Sequence, residues 1–169
     1  MPQLTDTDAD FASFVGARQQ ALARFGYLLT GHPHDAEDLV QSALAKAYGH
    51  WGRITSMQSP EAYVRTIMVN EHTSWWRRAW RRKERSASDF IALTDAPAGA
   101  VAEHDDELWQ LVLALPPQQR AAVVCRFYED LSEAQTAEIL GVSIGTVKSH
   151  THRALAQLRT TLTSQKDLS

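Results

Sequence analysis

The chain has 169 residues, 44% of them hydrophobic, and a formal net charge of −3. That length suits one domain or two small ones with a core, and no apolar run approaches the roughly 20 residues needed to cross a bilayer. The acidic, polar start (MPQLTDTDAD) is not a secretory signal, and the lone Cys125 cannot form an internal disulfide, so a buried thiol and a cytoplasmic setting are expected.

Phe11, Phe14, Val15, Leu22, Phe25 and Leu29 predict a first amphipathic helix that ends near Gly31 and Pro33. A second is expected over 35–51, with Ala36, Leu39, Val40, Ala43, Ala47 and Trp51 on its apolar side. Its acidic start (Asp35, Glu37, Asp38) suits the positive end of the helix dipole. Residues 53–59 read as a loop, after which Ser59 caps a helix with Pro60 in its first turn. That helix is expected to reach about Arg85 with Val64, Ile67, Met68 and Trp75 inward. Residues 86–106 lack periodicity, contain Pro97 and Gly99, and read as a flexible acidic linker. A short helix over 107–115 follows, then one over 118–128 behind Pro116 and Pro117. No strand pattern is convincing. The expected class is all-α: two small helical domains, 1–85 and 107–169, joined by the linker.

The last stretch, 132–159, reads SEAQTAEILGVSIGTVKSHTHRALAQLR. Ser132 and Gln135 form a capping-box pattern, Gly141 stands where a helix closes in a left-handed residue, and Ser143 caps the next helix. In that helix Val147, Thr151, Ala154, Leu155, Leu158 and Leu162 share one side. Gly145, Ser149, His152, Arg153 and Ala156 lie opposite, with Thr146 and Lys148 at the margins. This is a helix-turn-helix pattern, and its small and hydrogen-bonding residues suit a DNA groove. The charge distribution qualifies it. Residues 1–85 carry 11 Lys/Arg and 9 Asp/Glu, residues 86–107 none and 6, and residues 108–169 6 and 5. The acidity sits in the linker, and neither flank is basic enough for a strong stand-alone binder, which points to DNA binding assisted by a partner.

A second unusual segment lies at 74–85, where Trp75, Trp76 and Trp80 are interleaved with Arg77, Arg78, Arg81, Arg82, Lys83 and Arg85. Cations spaced i, i+4 form stripes that can track phosphates, and exposed indoles stack on unpaired bases. Trp75 is expected in the core. The Trp residues make no broad apolar face of the kind a membrane-surface helix needs. The His pairs 32/34 and 150/152 point apart on a helix and no Cys pair supports zinc, so no metal or other cofactor is expected. There is no glycine-rich phosphate loop and no nucleophile motif, which argues against an enzyme.

These segments together resemble the two-domain sigma factors of bacterial RNA polymerase, in the extracytoplasmic-function group. HDAEDLVQSALAKAYGHW (34–51), SPEAYVRTIMVNEHTSWWRRAWRRK (59–83) and LPPQQRAAVVCRFYEDLSEAQTAEILGVSIGTVKSHTHRALAQLR (115–159) carry the likeness, in order, over nearly the whole chain. VNEHTSWWRR is similar to an actinobacterial, sigma-E-like branch. The resemblance implies that Asp38, Leu39 and Gln41 contact the polymerase clamp. It implies that Asn70 and the 53–59 loop hold unstacked bases of the promoter's minus-ten element, with Trp76, Arg77, Arg78, Arg81 and Arg82 beside them. It implies that Gly145, Thr146, Lys148, Ser149, His152 and Arg153 read the minus-thirty-five element. His150 and His152 stand where relatives carry Arg or a bulky residue, which leaves base preference open. The implied partners are core RNA polymerase, promoter DNA and an inhibitory anti-sigma factor, with no membrane insertion. Two other readings of the residues remain: a stand-alone helix-turn-helix regulator on operator DNA, and an interaction module whose basic helix binds an acidic partner.

Overall fold

The computed structural model describes residues 3, 5–85 and 106–169. The described residues form helices and connecting turns, with no strand among them. The acidic linker reading therefore lies outside the described residues.

Helix α1 (Asp6–Thr30) starts five residues before the first periodic phenylalanine. The reason is local: Thr5 and Asp8 make a reciprocal capping box that satisfies free donors at the helix start. It closes on Gly31 at φ 76°, a conformation that glycine adopts without strain. Helix α2 (Pro33–Tyr48) packs antiparallel on α1. Gly26 makes this approach close, since a Cβ there would sit 3.2 Å from the Ala36 carbonyl oxygen and 3.3 Å from the Met68 methyl. The second helix ends at Tyr48, short of the expected Trp51. Trp51 instead opens a single turn, α3 (Trp51–Ile54), which runs into the first two residues of the segment expected to be loop. Burial of Trp51 and Ile54 explains it, because the chain coils locally to bury both side chains, Trp51 against Phe11 and Phe14.

Helix α4 (Pro60–Arg85) is capped by the Ser59 hydroxyl, which accepts from the Ala62 amide at 3.2 Å. Helices α5 (Asp106–Leu113) and α6 (Pro117–Val123) follow, and α6 runs into one π-helical turn, Val124–Tyr128. Asp130, at φ 52°, then reverses the chain. Helices α7 (Glu133–Leu140) and α8 (Ile144–Asp167) complete the fold.

The two halves of the chain share one apolar core rather than standing apart. Leu22, Phe25, Leu29, Val64 and Met68 from the first half belong to the same buried cluster as Trp109, Val112, Leu115, Val124 and Leu158 from the second. Tyr27 of α1 stacks on Trp109 of α5, with centroids 6.1 Å apart, and Trp109 meets Tyr128 edge-on. Gly31 presses against the Leu113 side chain, so closely that any Cβ would lie 2.6 Å from it. Cys125 is completely buried, as its apolar neighbourhood predicts, and burial pushes its thiol up to about 12.

Candidate nucleic-acid interface

Along α4, Asn70, Ser74, Arg77 and Arg81 recur at i, i+4, i+7 and i+11, opposite the face that buries Arg65, Met68, Val69 and His72. All four are exposed, as are Arg78 and Arg82 on one flank. On the other flank Trp76 and Trp80 are 38% and 50% exposed, and their rings lie parallel, 9° apart in plane with centroids 5.5 Å apart. A flat indole pair beside cationic side chains is what capture of unstacked bases requires: π-faces for the bases and charge for the backbone. Trp75 lies half-buried against the core, as expected. Glu71 anchors this stretch of α4 to α2 by accepting from Ser42 at 3.1 Å and from the Lys46 ammonium.

The helix-turn-helix forms as its residues dictate. Ser132 and Gln135 make the reciprocal capping box, Gly141 closes α7 at φ 66°, and the Ser143 hydroxyl accepts from the Thr146 amide at 3.1 Å. Val147, Ala154 and Leu158 anchor α8 in the core. Gly145, Lys148, Ser149, His152 and Arg153 line its exposed side. Thr146 differs from them: it is half-buried, and its hydroxyl lies 2.9 Å from that of Ser143. His150 turns away from this side. It is partly buried and lines a groove against α4, and burial, helped by the Arg153 charge, lowers its pKa. Of the two histidines in question, only His152 stands on the exposed side.

On α2, Asp38 and Gln41 are exposed and Leu39 is not; its side chain is 0% exposed. A direct contact from Leu39 to a partner is therefore corrected. The apolar stripe that predicts this helix is what draws Leu39 inward, where it holds its two polar neighbours in place.

Asn70, Ser74 and Arg77 of α4 face Leu140, Val142 and His150 across that groove of about 490 Å³, with Thr73 and Gln118 at its base. Thr73 accepts from the Gln118 amide at 3.2 Å. Sequence reasoning missed the polar contacts behind this junction. Arg120, buried in α6, donates to the carbonyls of Leu29 at 2.7 Å, Leu113 at 2.6 Å and Leu115 at 3.2 Å. Glu129 accepts from Arg65 at 3.2 Å and lies 3.6 Å from Arg24. The available signal was a lone Arg at the head of the apolar run AAVVC, since a buried cation requires partners.

His72 sits beside Arg120, and burial, with that guanidinium, pushes its pKa down to about 4 from an ordinary 6.5. Below pH 6.5 the unfolded chain takes up a proton that the folded chain refuses, so stability falls as pH drops from 6.5 toward 4. Between pH 7 and pH 5 this group alone should remove about 2 kcal/mol. Urea unfolding at both pH values, compared with His72→Gln, measures it. Equal pH sensitivity of the two proteins would refute the assignment.

Among the described residues no group of three or more His, Cys, Asp or Glu could hold a metal ion, and no helix is long and apolar enough to cross a membrane.

Each surface lies within a segment that matches a known family. Residues 14–82 match the family described as Sigma-70 region 2, and residues 105–158 match Sigma-70, region 4. The chain is 41% identical to the RNA polymerase sigma-E factor of Streptomyces coelicolor over 92% of its own length and 88% of that protein's. It is 32% identical to the ECF RNA polymerase sigma factor SigM of Mycobacterium tuberculosis over 88% and 74%. Among solved structures it is similar to the sigma factor RpoE of Bartonella quintana, in complex with the anti-sigma factor NepR. The TM-score is 0.71 at 30% identity, covering 91% of this chain and 97% of that one. CnrH, in complex with the cytosolic domain of CnrY, shares the fold at a TM-score of 0.58 and 21% identity. With both regions matched in order and identity sustained over most of its length, the chain belongs to the RNA polymerase sigma factors, in their extracytoplasmic-function (ECF) group.

Proposed function

We propose that this sigma factor docks on core RNA polymerase in the cytoplasm through the α2 surface around Asp38 and Gln41 and directs promoter-specific initiation. Residues 1–85 act as the minus-ten unit. Asn70 holds an unstacked base, with the 53–59 loop beside it. The Trp76–Trp80 platform and Arg77, Arg78, Arg81 and Arg82 take the melted strand. Residues 107–169 act as the minus-thirty-five unit, with Gly145, Lys148, Ser149, His152 and Arg153 entering the major groove and Thr146 fixing the start of α8. The protein catalyses no reaction of its own; it positions the polymerase. An anti-sigma factor is the further partner, because the similar sigma factor RpoE of Bartonella quintana is held by one.

The observation that carries this reading is the parallel indole pair beside the exposed arginines, on the same chain as a helix-turn-helix. A lone operator-binding regulator has no use for a platform suited to unpaired bases. Neither unit is strongly basic, so each binds weakly by itself, and joint mounting on the polymerase raises the effective concentration of both. Purified protein with core polymerase and a promoter library should give promoter-specific transcripts that need both components. Tight sequence-specific duplex binding without polymerase, and no transcripts with it, would overturn the proposal. Within that assay, Arg153→Ala should weaken use of the upstream element about tenfold, as loss of one base contact does, and spare polymerase binding. Equal loss of both activities in a folded protein would remove Arg153 from the reader.

A further inference from the structure

Asn70 can hold an unstacked base only if α4 presents it at the right angle. The body of α4 is seated through Val64, Met68 and Val69, which are all buried. Apolar burial is non-directional, so it sets how closely a helix sits better than how far it is rolled about its axis. A roll of about 15° moves a side-chain tip that stands about 6 Å from the axis by about 1.5 Å. That is enough to lose a hydrogen bond to a base, since such bonds span only about 2.7–3.2 Å and weaken steeply when bent. Base capture therefore requires directional contacts close to Asn70.

The neighbouring residue supplies them. Glu71 gives both carboxylate oxygens to α2: Oε2 accepts from the Ser42 hydroxyl at 3.1 Å and Oε1 from the Lys46 ammonium. Ser42 and Lys46 stand one turn apart on α2, so they grip the carboxylate at two points along that helix. The Glu71 side chain is 12% exposed and that of Lys46 59%, so the grip lies at the edge of the surface that carries Asn70.

We propose that Glu71 is a positioning residue for base capture: held by Ser42 and Lys46, it sets the roll of α4 and so the angle at which Asn70 meets the base. Glu71 is not itself a reader. Both its oxygens are engaged by α2. A bare carboxylate beside Asn70 would also repel the phosphates of the captured strand, and the Lys46 ammonium offsets that charge. The three residues all belong to the minus-ten unit, so the grip does not depend on where the minus-thirty-five unit stands. The proposal rests on the role given above to Asn70 and names a residue that acts through it.

The test is a double-mutant cycle in transcription from a duplex promoter, with the full chain and core polymerase. Glu71→Ala should lower promoter use about fivefold, short of the effect of losing the base contact itself. Glu71→Gln should recover it to within about twofold, because its amide oxygen accepts from Lys46 and its amide nitrogen donates to the Ser42 hydroxyl. In the Asn70→Ala background, Glu71→Ala should cause no further loss, since residues that act through one contact are not additive. Affinity for core polymerase should be unchanged throughout. If Glu71→Ala does not fold, Lys46→Met removes the cation from an exposed position and should give a smaller loss that again vanishes beside Asn70→Ala. Losses that multiply in the double variant would mean that Glu71 acts independently of Asn70 and would overturn the proposal, as would a Glu71→Gln protein no better than Glu71→Ala. Weakened polymerase binding by Glu71→Ala would place the grip in docking instead. These outcomes leave the minus-ten role of Asn70 standing. Full promoter use by Asn70→Ala removes that role, and the positioning role with it.

Discussion

Arg120→Leu is expected to destabilise the fold by about 3 kcal/mol, read as a lower urea midpoint at an unchanged slope. The argument is an accounting of carbonyls. The last carbonyls of any helix lack partners within it. Here Leu29 near the end of α1 and Leu113 and Leu115 closing α5 all give their oxygens to one guanidinium. Burial lowers the pKa of Arg120 to about 10, which still leaves it charged at neutral pH. Leucine replaces the stem but no donor, and each carbonyl left buried and unpaired costs about 1–3 kcal/mol. The three costs are not additive, because a relaxed junction lets water reach some of them. An unchanged midpoint would mean that water satisfies these carbonyls equally well and that Arg120 has no structural role.

Asn70→Ala is expected to reduce promoter-specific transcription by about ten- to a hundredfold, the 1–3 kcal/mol of a lost two-point contact to a base. Asn70 is exposed on α4, opposite the buried face, so the substitution should leave thermal stability unchanged. Binding to core polymerase should also persist, since Asp38 and Gln41 lie on another helix. The defect should be sharpest on duplex promoters and milder on templates already unpaired at the minus-ten element, where no base must leave the stack. A uniform loss on both templates would place Asn70 outside base capture. Loss of polymerase binding would place it in docking.

Much of this was legible in the residues alone. The Ser132–Gln135 and Ser143 caps and the glycine turn at Gly141 are local chemistry, and they formed as the sequence predicts. The stripes of α4 follow from helical spacing, so the exposure of Arg77, Arg78, Arg81 and Arg82 was readable too. The Thr5–Asp8 capping box was readable and overlooked, as its acidic neighbours concealed it. Other features had no local cause. Residues 51–54 coil because Trp51 and Ile54 must be buried beneath α1, which outweighs the loop preference around them. A motif names residues without saying which way each points: the apolar stripe of α2 turns Leu39 and Val40 inward, between the exposed Asp38 and Gln41. His150 and His152, two apart, point apart on α8 by helical spacing, but that His150 lines a groove with Asn70, Ser74 and Arg77 of α4 is set by tertiary structure.

The sequence by itself determined the helices, their caps, the helix-turn-helix and the basic aromatic face, because capping and periodicity act within a few residues. Only the tertiary structure decided that the two halves close on each other. The contacts that close them, Arg120 to Leu29, Glu129 to Arg24 and Arg65, and Tyr27 on Trp109, join residues at least 64 positions apart. Each side of such a contact looks complete in its own segment: an arginine in an apolar run, a glutamate after a helix, a tyrosine on a helix flank. Their partnership is set by where whole helices pack, and that depends on burying a common apolar core.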